Sequence, residues 1–239
     1  MQHAKTIIIA AMVILISLTP TITRGQKPDS TLLRVEKTED FEFAGTGSDP
    51  NWNKAAWLPL PGRNENETGY ETKMKILYSD SGIYCLYYCQ DSVLTSTLHS
   101  DFSDLYNEDV VEAFFWPDES VPVYFEYELS PFNYELPILV PNFKGNFMGW
   151  RPWHYEGLRR TRHATHVFKS NDQVIAWTAE FFIPYKLLAP LGHIPPAIGT
   201  RWRANFYRID YDRKASEWSW QATRANFHDY EKFGTLLFQ

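Results

Sequence analysis

The sequence predicts an all-β protein, an antiparallel β-sandwich of jelly-roll type with short helical turns only. Three observations predict it. Eight or more short apolar stretches carry β-type alternation, turn residues separate them at close spacing, and little of the chain has helical period. The 239 residues contain no internal repeat. One domain over residues 26–239 is long enough to bury a single good core.

Residues 1–25 read as a signal peptide. Lys5 supplies a positive start, Ile7 to Leu18 is apolar, and Thr23 and Gly25 suit a cleavage near Gly25. Twelve apolar residues fall short of the roughly 20 that a membrane-spanning helix needs. The expectation is an exported, soluble protein, periplasmic or extracellular, with no membrane span. Removing Lys5 and Arg24 leaves 21 basic against 29 acidic residues, a net charge of −8. That balance disfavours nucleic acid as a partner.

The elements follow in order. Leu32 to Val35 reads as a tail or a first edge strand. Gly45 to Pro50 is a dense turn, and Asn51 to Trp57 forms one helical turn whose Trp52 and Trp57 are core plugs. Residues 61–69 are a loop holding the glycosylation sequon Asn66-Glu67-Thr68. Thr72 to Tyr78 and Ile83 to Gln90 are strands joined by the turn Ser79 to Gly82. Cys85 and Cys89 share one face of that second strand about 13 Å apart, too far for a disulfide, and read as buried thiols beside Ile83 and Tyr87.

The central hairpin spans Asn107 to Asn133. Val123, Phe125, Tyr127 and Leu129 occupy one face of its second strand and Tyr124, Glu126, Glu128 and Ser130 the other. The first set suits a buried face. The acidic-aromatic set is either a solvated surface or a wall of a polar ligand site. Aromatic rings beside carboxylates suit a sugar, which stacks its C–H face and needs partners for its hydroxyls. The passage from residue 134 to 156 is Pro-, Asn- and Gly-rich, reads as a long loop, and contains Phe143, Phe147, Trp150 and Trp153. Further strands are expected within residues 157–168, then at Val174 to Ile183, Trp202 to Asp210, Trp218 to Gln221 and Phe233 to Phe238, with a short helix at Pro184 to Leu188.

Nucleophile-elbow, Walker and dinucleotide-binding motifs are absent. His163 and His166 lie on opposite faces of a strand and cannot share one metal ion. Asp118-Glu119 and Asp210/Asp212 could hold structural calcium or be solvated turns. No cofactor is certain. Glu112 with Glu126 or Glu128 could perform glycosidic acid–base chemistry, but neighbours on one sheet face do not flank a bond.

The order of residues resembles the family-9 carbohydrate-binding modules over nearly all of residues 26–239. The resemblance runs from Asp49-Pro50-Asn51-Trp52 through Asn107-Glu108-Asp109 and Val111-Glu112. It continues through Phe125 to Pro131, Trp177 to Pro184, Trp202 to Asp210, Trp218-Ser219 and Glu231 to Gly234. It implies a β-sandwich that binds a poly- or oligosaccharide, with two aromatic rings clamping one pyranose and charged or amide groups on its hydroxyls. The clamp positions are Tyr106 and Phe227, and the acidic position is Glu112. Asn205 matches an Asn of the family, whereas Glu128 and Arg224 stand near positions where founding members have Arg and Asn. Acid and base are thus exchanged between strands, and the founding specificity does not carry over. Tyr and Phe also offer less stacking area than Trp. Such modules are usually fused to a hydrolase; a free binding protein needs a role other than tethering its own catalytic domain. An accessory protein in polysaccharide degradation is one alternative, with polysaccharide-degrading enzymes as its partners. The alternatives are a glycoside hydrolase acting through Glu112 and a haem-binding sandwich, which would need axial Met, His or Lys.

Overall fold

The computed structural model describes residues 31–63, 69–212, 214–224 and 226–239. The leader at 1–25 and the sequon at Asn66 lie outside the described residues. In chain order the first strands are β1 (Leu32–Lys37), β2 (Leu58–Pro59), β3 (Thr72–Tyr78), β4 (Gly82–Gln90), β5 (Val110–Trp116), β6 (Val123–Leu129) and β7 (Glu135–Phe143). They are followed by β8 (Asn146–Phe147), β9 (Arg151–Pro152), β10 (Arg162–Ser170), β11 (Gln173–Pro184), β12 (Arg201–Asp210), β13 (Ser216–Ser219) and β14 (Gly234–Phe238). One short helix, α1 (Tyr185–Leu188), and several single 3-10 turns complete the described chain.

The strands form two layers. One runs β10-β11-β4-β3, with β2 on β3; the other runs β14-β12-β5-β6-β7-β8, with β13 on β12 and β9 on β7. Strand β1 joins them. Its residues Leu32 to Val35 pair parallel to β14, and Glu36 and Lys37 pair parallel to β3. The first strand is therefore internal, where the sequence predicts a tail or an edge. Every other ladder is antiparallel, and the tight Asn171-Asp172 connection of β10 to β11 uses positive φ angles of 50° and 63°, as a two-residue hairpin requires.

Between the layers, Val111, Ala113 and Phe115 of β5 and Phe125, Tyr127 and Leu129 of β6 meet Ile83, Cys85, Tyr87 and Cys89 of β4 and Trp177, Ala179 and Phe181 of β11. Each large apolar side chain so buried contributes about 1.5–3 kcal/mol. Both cysteines are buried free thiols, as their spacing predicts. A second cluster lies on the opposite face of β5 and β6. There Phe114, Tyr124, Ile138 and Tyr207 are covered by Phe227, Tyr230 and Phe233 from the loop before β14. Gly234, next to Phe233, packs against the Trp220 ring of the inter-layer core, where a Cβ would lie 2.3 Å away. The outer face of the central hairpin is thus roofed rather than solvated.

Two further expectations are corrected. The 134–156 passage is not a loop: Glu135 to Pro141 pair with β6 over Val123 to Leu129. Pro137 and Pro141 are tolerated because only the two-residue strands β8 and β9 flank β7 on its far side, so few ladder hydrogen bonds are at stake there. Trp52 is a core plug at 2% exposure, but Trp57 is 40% exposed and lies beneath the ammonium groups of Lys73 and Lys75.

Candidate functional site

Alternation along β5 and β6 sends Glu112, Phe114, Glu126 and Glu128 to the roofed face. The register sets Glu112 directly opposite Glu128 and Phe114 opposite Glu126, with Tyr207 of β12 on the other side of Glu112. These residues floor a cavity of about 400 Å³, within the range of about 300–1,000 Å³ usual for small-molecule sites. Tyr106, Phe147, Trp150, Tyr211, Phe227 and His228 wall it, and Arg63, Glu217 and Asn226 complete its lining.

The glutamates are almost wholly buried, at 2%, 4% and 0% exposure for Glu112, Glu126 and Glu128. Both oxygens of Glu128 and one oxygen of Glu126 lack a well-formed hydrogen bond. Burial pushes the Glu112 carboxyl up to about 8; the Glu217 charge adds to the rise and Arg63 opposes it. Burial and the neighbouring carboxyls likewise hold Glu126 and Glu128 well above the usual glutamate range. The Arg63 guanidinium is engaged by the Glu217 carboxylate and by Thr223. Burial lowers His228 to about 4, so its ring is neutral near pH 7. Its Nδ1 lies 2.7 Å from the Tyr124 hydroxyl and 3.7 Å from Glu126, and its ring stacks on Phe147 at 4.1 Å.

Four of the six sequence-named residues, Tyr106, Glu112, Glu128 and Phe227, meet in this cavity. Asn205 and Arg224 do not line it. The Asn205 amide donates to Tyr207 Oη and the Gln221 carbonyl, and its oxygen accepts from the Phe206 and Gln221 N–H groups. Asn205 therefore fixes Tyr207, whose ring stacks on Phe227 at 4.1 Å and whose hydroxyl donates to the Phe227 carbonyl. Arg224 is exposed, and its backbone N–H donates to Asp229.

Phe227 itself has little free face. Tyr207 stacks on one side, and the Arg63 guanidinium lies over the ring 4.7 Å from its centre. More accessible rings come from Tyr106 and Trp150, which meet edge to face at 6.3 Å, and from Phe147, 42% exposed. Arg63, Phe114, Ile138, Phe147, Trp150, Ile209, Tyr211, Glu217, Asn226 and His228 are the lining residues that sequence reasoning does not place at the site. Only Phe147 and Trp150 had a signal, as aromatics in a passage too rich in Pro and Gly for an ordinary core.

The chain matches the model of the carbohydrate family 9 binding domain-like proteins over residues 44–239. It belongs to that family. Among solved structures it is similar to a candidate carbohydrate-binding protein from Bacteroides uniformis, at 17% identity and TM-score 0.73, over 87% of this chain and 99% of that one. A family-9 carbohydrate-binding module from Caldicellulosiruptor kristjanssonii matches in two complexes, one with cellotriose and one with glucose. Each is 17% identical with TM-score 0.61 and covers 87% of this chain; 94% and 96% of those chains are matched. These likenesses establish the family-9 sandwich fold. No curated protein matches the sequence.

Among the described residues, Asp91, Asp210 and Asp212 form the one acidic group whose ligand atoms lie within 4.8 Å of one another. Buried Arg208 already stands between them, donating to Asp91 at 2.9 Å and Asp210 at 2.6 Å. Of the six carboxylate oxygens, Asp212 Oδ1 alone lacks a protein partner. This donor set fits the guanidinium and does not fit a calcium ion. Asp118 accepts from the Ser120 N–H and hydroxyl, and Glu119 pairs with Arg203, an arrangement of a solvated turn. For the haem alternative, Met74 is in the sandwich core, and among the described residues His228 is the only Met, His or Lys side chain lining the cavity.

Proposed function

We propose that this protein is an exported carbohydrate-binding protein that holds an oligosaccharide in the Glu112–Glu128 cavity without cleaving it. One observation carries the reading: in a family-9 chain, a sugar-sized cavity has an acidic floor and aromatic walls. Tyr106 and Trp150 offer rings to the C–H face of a pyranose, and the carboxyls offer partners to its hydroxyls. The cellotriose and glucose complexes of its structural neighbours make β-linked glucose oligomers the first probes. Glu112, Glu126 and Glu128 share one sheet face as neighbours, a poor arrangement for attack across a glycosidic bond. The apolar leader at residues 7–18 supports export, and partners would include polysaccharide-degrading enzymes that act on the same glycan.

Calorimetry with cellotriose and a wider glycan panel tests this reading. The Tyr106→Ala/Trp150→Ala double variant should bind a confirmed ligand about tenfold or more weakly, given about 0.5–1.5 kcal/mol per lost aromatic contact. Unchanged affinity in a folded variant would place the sugar elsewhere. A second reading, glycoside hydrolysis, is favoured by the elevated Glu112 carboxyl, which could serve as a general acid near neutral pH. Release of reducing ends that stops in Glu112→Gln would establish it; intact oligosaccharide after prolonged incubation supports the binding role.

A further inference from the structure

The cavity is unusual in its excess of acceptors over donors. Among the described residues, Glu112, Glu126, Glu128 and Glu217 bring four carboxyls, against one guanidinium from Arg63 that is already engaged by Glu217. His228 adds no charge near neutral pH. A neutral sugar would offer the three buried carboxyls no cation, so they could ionise only at the full cost of burial. Glu128 makes this acute: it is fully buried, lines the cavity, and neither of its oxygens has a well-formed hydrogen bond. The Tyr106 backbone and the Glu126 carboxyl approach it without satisfying it.

A bare metal ion does not meet this demand. Among the described residues, the glutamates are not part of any group whose ligand atoms converge within 4.8 Å, as one ion would need. An ammonium group needs no such convergence, since one or two carboxyl oxygens and water satisfy its donors. An ammonium group on a pyranose brings one positive charge and three N–H donors, while its ring can lie against the Tyr106 and Trp150 walls.

We propose that the ligand of this site is an amino sugar with a free, non-acetylated ammonium group, seated with its nitrogen against Glu128 and one neighbouring glutamate. This rests on the carbohydrate-binding reading and narrows it to one chemical class. The carboxyls hold protons in the empty cavity because burial raises all three, so a bound ammonium displaces protons as it pairs with them.

Three β-1,4-linked trimers of one length test the proposal by calorimetry near pH 6: glucosamine, glucose (cellotriose) and N-acetylglucosamine. They differ only at C2, as ammonium, hydroxyl or acetamide. The expected result is at least about tenfold tighter binding of the glucosamine trimer than of either neutral trimer. Its binding should also release protons, read from the heat in two buffers of different ionisation enthalpy, and weaken with salt. Glu128→Gln should shrink the preference towards unity, with Glu126→Gln as the second variant if the first fails to fold. Equal or tighter binding of cellotriose or the acetylated trimer would overturn the amino-sugar assignment and leave carbohydrate binding standing. If a spermidine control binds as tightly as the glucosamine trimer, the site is a general ammonium site and the sugar assignment falls. If no trimer binds, the carbohydrate reading fails and this inference fails with it.

Discussion

Glu112, Glu126 and Glu128 link stability to pH in an uncommon direction. Burial raises their folded-state pKa values above the ordinary glutamate value, to about 8 for Glu112. Between the unfolded and the raised values, the folded protein binds more protons than the unfolded chain. Stability therefore falls as pH rises through that window. Asp109, raised by burial to about 7, acts in the same sense. Among the described residues, the charged or titratable groups facing the cluster are Arg63, Glu217, His228 and the phenols of Tyr106 and Tyr211. His228 lowers stability only on the acid side of its unfolded value, near about 6.5. The melting temperature should thus drop between about pH 6.5 and 8.5, with a shallower drop in Glu128→Gln. A melting temperature that climbs across this window would contradict proton retention by the buried carboxyls. Asn205 makes a second residue-scale prediction. Replacing it by alanine strands the Phe206 and Gln221 N–H groups, so urea unfolding should reveal a loss of about 1–3 kcal/mol.

At the scale of elements, the β5–β6 hairpin was legible because its alternation is clean over fourteen residues in two strands. The same alternation correctly put Phe125 and Tyr127 inside and Glu126 and Glu128 on the other face. Burial of that other face was not legible. It depends on a roof from Phe227, Tyr230 and Phe233, more than ninety residues away in the chain, and local pattern carries no trace of it. Strand β7 was hidden by Pro137 and Pro141, which local rules read as loop residues and which only the thin edge beyond β7 makes tolerable. Arg63 and His228 gave no signal, because a lone basic residue in a loop looks like any solvated one. Where β12 meets β4, Arg208 closes the Asp91–Asp210 pair at zero exposure. Two consequences follow for this element pair. Arg208→Ala should cost about 3–5 kcal/mol, because it strands two buried carboxylates. Chelation by EDTA should leave the melting temperature unchanged; a fall would show that a cation supplements the guanidinium.

Across the whole molecule, two layers held together by β1 give a base, and the cavity sits on the outer face of one layer under segments that carry Arg63, Tyr106, Trp150, Tyr211 and Phe227. Recognition is thereby separated from the core. Val111, Phe115 and Phe125 stabilise the sandwich from inside, while Glu112, Phe114 and Glu126, their immediate neighbours in sequence, face the ligand space. Substitutions at the cavity can change specificity without emptying the core. Among the described residues no helix is long and apolar enough to cross a membrane. The central claim is that sugar enters this cavity and no other surface, the exposed Trp57 included. The most direct measurement is a nitrogen-15 NMR titration with the β-1,4-linked glucose and glucosamine trimers, following the indole N–H signals. The Trp150 indole and the backbone of Tyr106, Phe147 and Asn226 should shift together, with Trp57 unmoved. Shifts centred on Trp57, or none with either trimer, would contradict the account.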